Sequence, residues 1–145
     1  MPRRLLKRRA CSKYYYIDNG LLSIQLMNVD ALLLENAVAL SLFRKYGHDV
    51  DDESVYFYNA NVEVDFYVPE DELAVQVSYS LADEATKKRE MDALSKLPNV
   101  YPCKRHIIVT YDEEDTITDK YGVIEVHPLT MKHNAWLHHQ QPPMP

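Results

Sequence analysis

The chain has 145 residues, 46% hydrophobic and 26% charged, which is enough to close one domain around its own core without disulfide or metal staples. Only 3 glycines are present, and no apolar run approaches the roughly 18 residues of a membrane-spanning helix, so collagen-like and helical membrane classes are excluded. The net charge is −6 but uneven: six of the 16 Lys and Arg precede residue 14 and none of the 22 acids does, which leaves −12 on the rest of the chain.

In chain order, residues 1–13 read as a basic arm, with Arg3, Arg4, Lys7, Arg8, Arg9 and Lys13 and no apolar stretch of a secretory signal behind them. Such a run is either a solvated linker or a phosphate-binding segment. Because the body is acidic, any attraction to nucleic acid must be concentrated in Arg3, Arg4, Lys7, Arg8 and Arg9. Residues 14–17 are β-prone and end in the turn signal Asp18-Asn19-Gly20, and residues 21–27 suit a short helix. Asp30 is an N-cap for a helix over 31–46 closed by Gly47. Strands are expected over 55–58, 62–68 and 73–79. A second helix runs from the cap Asp83 to Leu97, where Pro98 stops it, with Met91, Leu94 and Leu97 as its apolar stripe. Strands over 105–111 and 123–127 follow, separated by a solvated turn at 112–115, then a short helix over 129–137 and a disordered tail over 138–145. The order α-β-β-β-α-β-β predicts an α/β domain over 14–137, a mixed sheet flanked by helices.

Glu35 stands out on the first helix. Its lateral neighbours Ala31, Leu32, Val38 and Ala39 are all apolar, so it lies in the stripe that should face the sheet. A carboxylate there is costly unless it is paired or binds a cation; the alternative is a partly exposed Glu35 at the stripe edge, or one hydrogen-bonded to backbone amides. On strand 62–68, Val62, Val64, Phe66 and Val68 alternate with Glu63, Asp65 and Tyr67. On strand 73–79, Leu73, Val75, Val77 and Tyr79 alternate with Ala74, Gln76 and Ser78. A four-residue loop, Pro69-Glu70-Asp71-Glu72, then sets Phe66 opposite Val75, Val64 opposite Val77, Asp65 opposite Gln76 and Glu63 opposite Ser78. The preceding hairpin, turning at Ala60-Asn61, puts Tyr56 and Tyr58 on the polar face. If the first helix packs there, Glu35 joins Asp65 and Gln76.

Carboxylate and amide oxygens in that arrangement suit a hard divalent cation, Mg²⁺ or Mn²⁺, which polarises a phosphate and generates hydroxide. The position two residues after Gln76, where a cation would support the nucleophile, is Ser78, which carries no charge. The six histidines pair with no cysteine at zinc spacing, and Cys11 and Cys103 read as reduced thiols of a cytosolic protein. No GxSxG or Cys/His hydrolase signature is present. The 11 tyrosines could stack bases, although most sit in strands where packing is the commoner role.

The runs Lys13-Tyr14-Tyr15-Tyr16-Ile17-Asp18-Asn19-Gly20-Leu21, Leu33-Leu34-Glu35-Asn36, Val55-Tyr56-Phe57-Tyr58 and Glu63-Val64-Asp65-Phe66 resemble the C-terminal domain, catalogued as a domain of unknown function, of predicted AAA+-type ATPases of bacteria and archaea. The resemblance covers roughly residues 3 to 128 and implies a restriction-endonuclease-like fold of the PD-(D/E)xK superfamily. By position it assigns Glu35 as the helix acid, Asp65 as the strand acid and Gln76-Val77-Ser78 as the (D/E)xK element. Gln76 replaces the second acid and Ser78 the lysine, unless Lys87 or Lys88 of the next helix reaches in. The ATP-binding module of the wider family is not found, since the chain has no GxxxxGK[ST] motif. The chain then reads as a detached C-terminal piece, with the arm as the end of a lost connection.

Taken together these observations lead to a degenerate nuclease-like domain, acting as a nucleic-acid-binding or regulatory module of an AAA+-type ATPase. The expected partners are that ATPase and DNA or RNA, with no membrane and a cytoplasmic location. The alternatives are a Mg²⁺-dependent nuclease using Glu35, Asp65 and Gln76, and a purely structural or oligomerising domain.

Overall fold

The computed structural model describes residues 30–47, 54–59, 63–99, 101–119, 122–129 and 137. The basic arm, the elements expected over 14–17 and 21–27, the Ala60-Asn61 turn, Cys11 and the tail lie outside the described residues, as does most of the last expected helix. Among the described residues no helix is long and apolar enough to cross a membrane.

The first helix, α1 (Asp30–Tyr46), starts on Asp30 and ends where the capping residue was expected. The Gly47 N–H donates to Phe43 O at 2.8 Å, and a Cβ at Gly47 would meet that same oxygen at 2.8 Å, so a larger residue would have to displace backbone. Strands β1 (Tyr56–Asn59), β2 (Glu63–Val68) and β3 (Leu73–Val77) follow, then helix α2 (Glu84–Lys96) with a short 3₁₀ turn, then β4 (Arg105–Thr110), β5 (Asp115–Asp119) and β6 (Gly122–Pro128). The Asp83 carboxylate caps α2 by accepting from Thr86 N–H at 2.9 Å. The six strands form one mixed sheet in the order β1-β2-β3-β4-β6-β5. β3, β4 and β6 run parallel, and the remaining neighbours are antiparallel.

Over Phe66–Val68 the β2–β3 register is the expected one: Phe66 faces Val75 and Val68 faces Leu73 across a turn at residues 69–72, but Val64 and Val77 pack into opposite cores instead of facing each other. Glu72 closes that turn at φ 49, the left-handed region an L residue enters only at some cost. Its carbonyl accepts from Lys104 N–H at 2.8 Å, which fastens the hairpin to the start of β4.

Three expectations are corrected. β5 is an additional strand: Asp115 opens it rather than closing a turn, and Thr116-Ile117-Thr118 alternate too briefly to stand out by hydropathy. β3 ends at Val77, not Tyr79. The two faces of β2 do not follow strict alternation, because Val64 and Tyr67 share one core and Phe66 and Val68 share the other.

Among the described residues, each face of the sheet is covered by one helix. α1 lays Leu34, Val38, Ala39, Leu42 and Tyr46 on Phe66, Val68, Leu73, Val75, Ile107 and Val109, and Leu137 joins them. α2 lays Ala93 and Leu94, with Leu97 just after it, on Val64, Tyr67, Ala74, Ile108, Ile124 and Val126. The expected stripe of α2 is thus the buried one, with Met91 at its edge. Burial of a leucine such as Leu42 or Leu94, each fully enclosed, contributes about 1.5–3 kcal/mol. Tyr67 is enclosed as well. Its hydroxyl donates to Pro102 O at 2.7 Å, and burial pushes its pKa up to about 12.

Candidate functional site

The broken alternation of β2 is what builds the site. Tyr56 pairs with Tyr67 and Tyr58 with Val64, so two steps along β1 match three along β2. The extra residue is a β-bulge at Asp65-Phe66. A bulge takes backbone groups out of the ladder, and those groups need other partners.

Side chains supply them. The Asp65 N–H donates to Gln76 Oε1 at 2.7 Å. Gln76 Nε2 donates to Glu63 O at 2.9 Å. Val77 N–H donates to an Asp65 carboxylate oxygen at 2.8 Å. Gln76 therefore uses one acceptor and one donor on the same strand, which an amide can do and an ionised carboxylate cannot. It is buried, 3% exposed, so neither bond is replaced readily by water.

Beside this clamp lies a cleft of about 720 Å³ between α2 and strands β2 and β3. The strands contribute Glu63, Asp65 and Gln76, and α2 contributes Lys88, Arg89, Glu90, Asp92 and Lys96. Four carboxylates thus face three cations. Glu90 is the most enclosed of the acids. Burial raises its pKa above the usual carboxylate range and the nearby Glu63 charge adds to this, while Arg89, 3.0 Å away, opposes both. The Arg89 side chain is 72% exposed, so that pair is screened and weak.

Asp65 and Gln76 therefore meet, as the register predicts. Glu35 does not join them. It lies half-buried on α1, and α1 packs on Phe66 and Val75, the face opposite to Ala74 and Gln76. The expectation that α1 covers the polar face is corrected for a plain reason: α1 carries an apolar stripe and takes the fully apolar side of β3. Tyr56 and Tyr58 do lie on the face that carries Ala74 and Gln76, as expected, but it is α2 that covers them. Ser78 falls beyond the end of β3 rather than opposite Glu63. Its hydroxyl donates to Ser80 O at 3.0 Å, and it does not line the cleft. Lys88 lines the cleft and Lys87 does not. Among the described residues no group of three or more His, Cys, Asp or Glu side chains is arranged to hold a metal ion. Arg3, Arg4, Lys7, Arg8 and Arg9 lie outside the described residues.

Sequence reasoning did not assign Glu90, Asp92 and Lys96 to the site. The available signal was the four-residue spacing of Lys88, Asp92 and Lys96, a charged stripe beside the apolar one on α2.

A second polar cluster sits on the α1 face. Arg105 grips Glu125 with two bonds, Nε at 2.6 Å and an NH2 nitrogen at 3.0 Å, and His127 Nε2 lies 3.0 Å from the same carboxylate. Burial alone would raise the Glu125 pKa, but His127 and Arg105 together hold it down to about 2. Nearby, Tyr46 OH donates to Asp71 at 2.6 Å. Cys103 is half-buried, its thiol pushed up to about 12 by burial and by Glu72, which makes it a poor nucleophile. No family model matches the chain, and neither does any curated protein or solved structure.

Proposed function

We propose that this chain is a degenerate PD-(D/E)xK nuclease-like domain that works as a nucleic-acid-binding or regulatory module beside an AAA+-type ATPase. The observation that carries this reading is the use made of Asp65 and Gln76: their polar atoms hold the β2 bulge together. Asp65 spends a carboxylate oxygen on Val77 N–H, and the Gln76 oxygen faces Asp65 N–H, so the donors a divalent cation needs are engaged with backbone. Four acids against three bases also make the cleft a poor seat for a polyanion. Nucleic acid is then held by Arg3, Arg4, Lys7, Arg8 and Arg9. Neutralising five phosphates makes log K fall against log [salt] with a slope of about −4 to −5 on duplex DNA. Replacing those five residues by Gln should abolish binding and its salt dependence together, measured by fluorescence anisotropy. Unchanged affinity would overturn the assignment.

One observation favours the enzymatic alternative, a Mg²⁺-dependent nuclease cleaving phosphodiester bonds. Lys88 lines the same cleft as Asp65 and Gln76, where its ammonium can take the role Ser78 cannot. Plasmid nicking in millimolar Mn²⁺ that disappears on Lys88→Ala and on Asp65→Ala would establish it. Intact plasmid with the wild-type chain favours the binding module, and loss of both activities leaves a structural or oligomerising domain.

A further inference from the structure

At the edge of the sheet where the parallel strands end, two large rings stand in solvent. Tyr79 follows β3 and is 40% exposed, and Tyr111 follows β4 and is 48% exposed. The rings are stacked, with centroids 5.1 Å apart and planes 11° from parallel.

This pair is held by its surroundings. Tyr111 N–H donates to Tyr79 O at 3.2 Å and Ser78 N–H to Val109 O at 3.0 Å, so the β3–β4 backbone pairing continues past the strands. Glu113 ties the two following loops together, accepting from Leu81 N–H at 2.7 Å and from Ser80 Oγ at 3.2 Å. Thr110 Oγ1 in turn anchors Glu113 through its N–H and its carbonyl, at 2.9 and 2.8 Å. A platform built this way loses little freedom when something lands on it.

The charges around the rings select the occupant. Among the described residues, the ionised groups that act on Tyr79 are Asp30, from the first turn of α1, and Asp112, from the loop after β4; both are acids. The chain outside residues 1–13 carries −12. A phosphate backbone is repelled from such a corner. A cation is attracted, first by the carboxylates and then by the ring faces. Guanidinium fits better than ammonium, because it is planar, weakly hydrated and stacks on aromatic faces.

We propose that the Tyr79–Tyr111 pair, flanked by Asp30 and Asp112, is a docking point for an arginine side chain on a segment of a partner protein. This is independent of the nuclease-like reading, since neither ring lines the cleft.

The test uses the full chain and three labelled probes in fluorescence anisotropy: a short arginine-rich peptide, its lysine-substituted twin and a single-stranded oligothymidine. The arginine peptide should bind best. Tyr79→Ala with Tyr111→Ala should weaken it about fivefold, the size of a cation–π contact at an exposed site. Tyr79→Phe and Tyr111→Phe should leave it unchanged, and Asp112→Asn should weaken it with both rings in place. A double Ala variant that binds as tightly as wild type overturns the proposal, as does equal binding of the lysine twin. Oligothymidine binding that depends on Tyr79 and Tyr111 overturns it too, by making the corner a base-stacking surface. Because both rings are exposed, the double variant should keep its far-ultraviolet dichroism. If it does not, the Asp112→Asn and Phe variants decide the question alone.

Discussion

The two faces of the sheet bury polar groups in opposite ways. Under α1, Glu125 is only 13% exposed, yet a bidentate Arg105 and His127 surround its charge. Under α2, Asp65 and Gln76 serve the backbone of a bulge, and the cleft beside them holds more acids than bases. The first cluster is complementary and closed. The second is left with an unbalanced charge beside open space. The difference teaches where to look for function: a charge already neutralised in the fold has little left to offer a ligand, while an unbalanced one continues to act on its surroundings.

The closed cluster gives the largest expected effect. The Glu125 pKa in the fold, about 2, lies below its ordinary 4.5, so the group stabilises the fold in full above about pH 4.5 and loses that contribution as pH falls toward 2. The size is about 3 kcal/mol. Urea unfolding at pH 6 and pH 3 should show a little over half of this loss, because Glu125 in the fold is still mostly ionised at pH 3, and Glu125→Gln should flatten the difference while lowering stability at pH 6. If Glu125→Gln is neutral at pH 6, the face under α1 gains nothing from its pairing and the contrast fails.

Much of this architecture is legible in the sequence. α1 is bracketed by Asp30 and Gly47, α2 by Asp83 and Pro98, and the four-residue loop fixes Phe66 against Val75. That register brings Asp65 near Gln76, while the bonds that join them belong to the bulge. Alternation over residues 62–68 conceals the bulge, because the side chains that stabilise it belong to another strand. The position of Glu35 was equally out of reach. An apolar neighbourhood on a helix says that one face is buried, not which side of the sheet it covers. β5 escapes notice because its only apolar residue is Ile117.

A smaller effect tests the clamp. Gln76→Glu would restore the acid that the nuclease motif calls for, but it replaces the donor to Glu63 O with a second acceptor. It also adds a carboxylate to a cleft already rich in them. The expected cost is about 1–3 kcal/mol at neutral pH, the penalty of an unsatisfied buried group. Denaturant unfolding reads this directly. Ser78→Lys should cost almost nothing, since Ser78 sits outside the cleft. A stable Gln76→Glu variant would mean that the bulge does not depend on the amide, and Asp65 and Gln76 would again be available as metal ligands.

The smallest effect has the opposite sign. Glu90 is buried on α2, and its burial together with the Glu63 charge disfavours its ionised form despite Arg89. A carboxylate whose pKa is raised by folding burdens the fold when ionised. That burden is absent at acid pH, where Glu90 is protonated in both states, and grows as pH rises through and above the ordinary carboxylate range. Glu90→Gln keeps an oxygen for Arg89 and removes the charge, so it should raise stability at neutral pH. The gain should shrink as pH falls through the carboxylate range, in contrast to Glu125→Gln, which costs most at neutral pH. Paired denaturation curves of the two variants across pH would show slopes of opposite sign. If Glu90→Gln instead destabilises the chain at neutral pH, Arg89 outweighs burial, and the cleft under α2 is as well paired as the cluster under α1.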